Sequence, residues 1–117
     1  MNKLEDFLSL PDVDTIEEEV FVSERLGKFK VKAMSADEHA EYQARCKGKI
    51  NKKGMDFDTS KFQLLICAGQ TLEPNFNNAE FLKKKLKAGE IAELSQKICR
   101  ISGFETDINE DIQEAKN

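Results

Sequence analysis

Few side chains in this sequence could do chemistry, and they are scattered. His39 is the one histidine. Metal binding or general acid–base work would need partners beside it. No Cys or Asp stands three or four residues further on, and only Glu38 and Glu41 are near. A surface histidine is the expectation. Cys46, Cys67 and Cys99 are separated by 21 and 32 residues and form no C-x-x-C pair. Each falls on or near an apolar helix face, where a free cysteine behaves as a small hydrophobe. A nucleophilic Cys would also need an activating base, and one histidine is all the chain offers. Glu17, Glu18 and Glu19 are consecutive, so their side chains diverge, whereas a carboxylate pair must converge on one cleft. The stretch G-K-I-N-K-K-G has glycines and lysines, but Gly54 is followed by Met55, which breaks the phosphate-loop spacing. No catalytic, cofactor or metal constellation emerges, and the expectation is a protein that is not an enzyme.

The elements that would position these residues can be read from hydrophobic spacing. Leu4, Phe7 and Leu8 share one helical face, and Pro11 ends the pattern. Such a short amphipathic arm needs a partner surface, because isolated helices below about 12–15 residues are marginal. From Lys28 to Ala33 the order K-F-K-V-K-A alternates strictly, as in a half-buried strand. Residues around Phe21 form its partner, with a turn at Arg25-Leu26-Gly27. Ser35 and Glu38 make a capping box for a helix that carries Tyr42 and Cys46 on one face, with Gly48 as its stop. Residues 47–56 read as a basic loop. With Arg45, it gathers Lys47, Lys49, Lys52 and Lys53. Asp58 or Thr59 caps the next helix, whose Phe62, Leu65, Ile66 and Gly69 share a face. Leu64, Cys67 and Ala68 add apolar positions elsewhere on it, which predicts the central helix. E-P-N-F-N-N breaks the chain, Asn78 caps a short helix with Phe81, Leu82 and Leu86, and Gly89 marks a bend. Ile91, Leu94, Ile98 and Ile101 define a last helix that Gly103 stops. Beyond it, Phe104, Ile108 and Ile112 recur every four residues in an acidic tail.

The fold class that follows is α+β, mainly α. An amphipathic N-terminal arm spans 1–16, and one domain spans 17–103. That domain has a β-hairpin at 19–33 packed on a bundle of about four short helices, near 35–47, 58–69, 78–88 and 90–102. A flexible acidic tail covers 104–117. A chain of 117 residues, 39% hydrophobic and 34% charged, suits one such domain. It has no run long enough for a membrane span and no signal-peptide pattern, so the expected location is cytoplasmic. Charge is divided along it: −6 over residues 1–19, +6 over 20–103 and −4 over 104–117. The net −4 and a pI of about 5.1 argue against dedicated nucleic-acid binding.

Several blocks together resemble a known family. They are E-V-F-V-S-E-R, K-F-K-V-K-A-M-S-A-D-E, G-Q-T-L-E-P-N-F-N-N-A-E-F-L, L-K-A-G-E-I-A-E-L, I-S-G-F and the closing E-A-K-N. Their order is similar to that of the XkdN-like tail assembly chaperones of contractile-tailed phages, defective prophages and phage-tail-like bacteriocins. Relatives carry a longer link before the L-x-x-G-E block; here Phe81-Leu82 runs straight through three lysines to Leu86.

The resemblance implies a small, mostly helical protein without cofactor or catalysis. It would bind the tape measure protein, assist the tail-tube protein in assembling around it, and be absent from the mature particle. The expected partner-binding residues are Leu4, Phe7 and Leu8 in the arm, Phe104, Ile108 and Ile112 in the tail, and Lys49, Lys52 and Lys53 in the basic loop. Self-association through the amphipathic ends is a further expectation. The family also implies a longer form made by −1 frameshifting, for which codons GCA-AAA-AAY at Ala115-Lys116-Asn117 would supply the slippery sequence. Two other classes compete: a structural tail component retained in the particle, and a small nucleic-acid-binding regulator using Lys47–Lys53 and Lys83–Lys87.

Overall fold

Alternation in K-F-K-V-K-A builds the sheet as its pattern demands. The computed structural model describes residues 3–51, 54–76 and 78–104, leaving aside the side chains of 49–51 and 54–56. Strand β1 (Glu17–Ser23) pairs antiparallel with β2 (Gly27–Lys32), Val20 opposite Phe29 and Phe21 opposite Lys28. Val20, Val22, Phe29 and Val31 are buried, and the lysines of β2 face outward. Gly27 has φ +75°, a left-handed conformation that costs glycine little, which is why it can follow the tight turn. A third strand, β5 (Thr71–Glu73), completes the order β1-β2-β5. Three residues long and wedged between a helix end and Pro74, it is too short to show a period in the sequence.

Helix α5 (Ala88–Ile101) packs against β1 and β2. Helix α2 (Ala36–Cys46) starts in the predicted capping box: Ser35 Oγ accepts from Glu38 N at 3.1 Å, and Ser35 N donates to Glu38 Oε1 at 3.1 Å. It ends at Cys46, and Gly48, expected as its stop, lies inside a strand instead. The residues on either side of 52–53, expected as a loop, are strand instead. Strands β3 (Lys47–Asn51) and β4 (Gly54–Phe57) form a separate antiparallel hairpin, with Asp58 N donating to Cys46 O beneath it. Too few apolar residues occur there for a period to show.

Helix α3 (Thr59–Gln70) is the central element and contacts α2, α4 and α5. Its buried face is Phe62, Ile66, Cys67 and Gln70. Leu65 is only half-buried and Gly69 is exposed, so the face is turned from the expected one. Asn78 Oδ1 caps α4 (Ala79–Lys85), accepting from Glu80 N at 2.9 Å and Phe81 N at 3.3 Å. Leu82 and Leu86 are buried, while Phe81 stays exposed. Helix α5 (Ala88–Ile101) contains Gly89 in its first turn, so the expected bend there is absent. It ends at Gly103, φ +102°, where Phe104 N donates back to Cys99 O at 3.0 Å.

Glu90 ties the hairpin to α5. Its carboxylate accepts from Arg25 Nη2 at 2.5 Å, Ser23 Oγ at 2.6 Å and Lys87 N at 2.7 Å. The Arg25 hydrogen bond, then those of Ser23 and Lys87, hold the acid down at about 2 from an ordinary 4.5. A depressed carboxylate stabilises the fold above its ordinary value, and that stability is lost as pH falls from about 4.5 toward 2. Glu90→Gln should therefore lose less stability than wild type between pH 6 and pH 3, read from urea midpoints. Equal losses would show that the Arg25–Glu90 link does not carry the acid sensitivity.

Candidate partner-binding groove

Three helices, α2, α3 and α4, leave between them an open groove of about 800 Å³ that no residue of α5 lines. Tyr42 of α2, Leu64, Leu65 and Ala68 of α3, and Phe76 in the β5–α4 link supply its apolar lining. All five are only partly buried, so the lining is accessible. The extra apolar residues that α3 carries outside its buried face are the sequence trace of this groove. Charged residues rim it, among them Glu41, Arg45, Lys61, Glu80 and Lys83.

Tyr42 fixes one wall. Its hydroxyl donates to Gln70 Oε1 at 2.7 Å, and Gln70 Nε2 donates to Ala33 O at 3.1 Å. This chain joins α2, α3 and the end of β2. Burial first, and then Glu38 and Glu41, push Tyr42 up to about 12, so its proton stays in place to make that bond. Gly69 lets the ring lie close: a Cβ there would fall inside the Tyr42 hydroxyl. Gly69→Ala should thus lower stability by about 1–2 kcal/mol through the broken Tyr42–Gln70 bond, against the gain of about 1 kcal/mol that Ala gives in a helix. A rise in the urea midpoint would contradict this placement of Tyr42.

The titratable and thiol groups have structural settings. His39 is not a free surface histidine. It is half-buried, 5.7 Å from the Phe62 ring centroid and 5.1 Å from that of Phe104. Burial lowers its pKa and favours the neutral ring. Cys46, Cys67 and Cys99 are buried and form no disulfide, as expected. Burial pushes the Cys46 and Cys67 thiols up, away from the reactive thiolate. Among the described residues, no group of three or more His, Cys, Asp or Glu could hold a metal ion, and no helix is long and apolar enough to cross a membrane.

The expected partner-binding residues lie in different places. Leu4, Phe7 and Leu8 fall on α1 (Leu4–Leu8) and are 71%, 60% and 69% exposed. Phe104 is half-buried and packs over His39 on the body. The backbone of Lys49 lies in β3, while Lys52, Lys53, Ile108 and Ile112 lie outside the described residues. The groove and the Glu90 cluster escaped sequence reading, since Tyr42 and Gln70 meet across 28 positions and Ser23 and Glu90 across 67.

The model of the family described as phage XkdN-like tail assembly chaperone protein, TAC, matches residues 4–116. No curated protein and no solved structure matches the chain.

Proposed function

The chain belongs to the XkdN-like phage tail assembly chaperone family, and from that membership we infer that it holds an amphipathic helical segment of the tape measure protein in the groove between α2, α3 and α4. The accessible apolar lining of Tyr42, Leu64, Leu65, Ala68 and Phe76 carries this reading. A helix laid in a groove buries one apolar stripe and leaves its polar face to a charged rim. That arrangement suits a client whose own apolar stripe would otherwise drive aggregation before the tail tube encloses it. The chain is then a binding protein that leaves before the tail is finished, and it needs no cofactor.

Co-expression with the tape measure protein of the same phage tail tests the reading. The tape measure protein should be soluble with this chain and insoluble without it, and a pull-down should recover both. A mass-spectrometric inventory of purified tails should lack the chain. A tape measure protein equally soluble alone would sink the chaperone role, and recovery of the chain in finished tails would identify a structural component instead.

A further inference from the structure

The point where the chain leaves α5 lies beside a basic surface. Gly103, φ +102°, turns the chain out of the helix, and Phe104 N donates back to Cys99 O at 3.0 Å. The Phe104 ring centroid is 5.1 Å from that of His39, His39 is 5.7 Å from Phe62, and Phe62 is 5.2 Å from Phe57 at the end of β4. These rings lead from the end of α5 to the foot of the β3–β4 hairpin, where Asp58 N donates to Cys46 O at 3.0 Å. Bases gather at that foot. Arg45 and Lys61 both lie close enough to Cys46 to act on its thiol, and Lys47 follows Cys46 in the chain. All three are exposed, and none makes an ion pair among the described residues.

From this placement we propose that residues 105–117, which lie outside the described residues, fold back on the foot of the β3–β4 hairpin of the same chain and cover Arg45, Lys47 and Lys61. Charge selects this occupant. Residues 45–61 hold six bases and two acids, a net +4, and residues 104–117 hold one lysine and five acids, a net −4. Of the acids near the hairpin foot, Asp58 is engaged as the cap of α3, accepting from Lys61 N at 3.0 Å, and Glu41 stands one helical turn before Arg45. Neither offsets the surplus of bases. Reach is sufficient, since the 13 residues beyond Phe104 span about 40 Å when extended. So short a tether holds the tail at a roughly millimolar effective concentration, and ion pairs that are individually weak then act together. The acidic N-terminal segment is a poorer occupant. Its described residues make no ion pair with the hairpin, and Glu17 is engaged by Lys30 of β2 at 3.3 Å. The contact keeps the basic hairpin from meeting the acidic ends of neighbouring copies.

Paramagnetic relaxation on the full chain tests the contact. A nitroxide on Ile112→Cys labels the tail selectively, because Cys46, Cys67 and Cys99 are 3%, 0% and 1% exposed. The amide signals of Lys47 and Phe57–Lys61 should lose intensity. Those of Lys84, Lys85 and Lys87, a second basic stretch at the opposite end of α5, should keep theirs. The loss should fade at about 1 M salt, where screening shortens to about 3 Å. Arg45→Glu with Lys47→Glu and Lys61→Glu, all at exposed positions, should abolish it, and adding Glu110→Lys with Asp111→Lys should bring it back. Glu110→Gln with Asp111→Asn and Glu114→Gln leaves the body untouched and should also abolish it. No loss at the hairpin, an equal loss at Lys84–Lys87, or a loss that survives the charge variants would overturn the proposal. So would a loss in isotope-labelled chains caused by separate spin-labelled chains mixed with them, which would place the tail on a neighbouring copy.

Discussion

Phe62→Ala should destabilise the protein by about 3–5 kcal/mol, the usual cost of deleting a buried aromatic ring. Phe62 is 1% exposed and sits on the helix that contacts α2, α4 and α5. Its ring meets Phe57 at 5.2 Å and His39 at 5.7 Å, both edge-on. It therefore locks the β3–β4 hairpin and α2 onto α3 together. A domain of this size has about 5–15 kcal/mol in total, so the variant should unfold at much lower urea. Phe62→Leu should cost far less, since most of the volume remains. Urea denaturation followed by circular dichroism measures both. A loss below about 1 kcal/mol for Phe62→Ala would contradict a core centred on α3.

Gln70→Leu should cost about 2–4 kcal/mol although the replacement has similar size and is apolar. Gln70 is fully buried. Its amide both accepts from Tyr42 Oη and donates to Ala33 O, so Leu strands a half-buried hydroxyl and a buried carbonyl. Tyr42→Phe removes one partner and should cost about 1 kcal/mol. The double variant should cost less than the sum of the two singles, because the hydroxyl that Leu strands is gone. Strict additivity in the urea midpoints would show that the two side chains act separately. The same double variant softens the groove wall, since this bond fixes the Tyr42 ring.

Local pattern made much of the fold legible. Lys28 to Ala33 alternates over six residues, enough to fix which side of β2 is buried, and Ser35 with Glu38 marks the start of α2. Ile91, Leu94, Ile98 and Ile101 trace the inner face of α5, and Gly103 its stop. Where pattern is short, reading failed. β5 has three residues, and β3–β4 is dominated by Gly, Lys and Asn, so neither shows a period. Gly89 reads as a bend in the sequence, yet Lys87 N donates to Glu90 Oε1 across it and α5 runs through it. The same helix hides Glu90, an unremarkable surface residue by type that becomes buried only once Arg25 and Ser23 arrive from a hairpin more than 60 residues away. The groove is likewise a tertiary product. The surplus of apolar residues on α3 reads as burial on every side, and nothing local says that α2 and α4 leave one of its faces open between them.

The proposed client site is the α2–α3–α4 groove. The most direct test places a photo-crosslinking amino acid at Leu65, in the groove, and separately at Lys28, on the outer face of the sheet, during co-expression with that protein. The Leu65 position should crosslink to a defined amphipathic helical segment of the tape measure protein, and Lys28 should not. Crosslinks from Lys28 with none from Leu65 would contradict it, and would move the client to another face of the molecule.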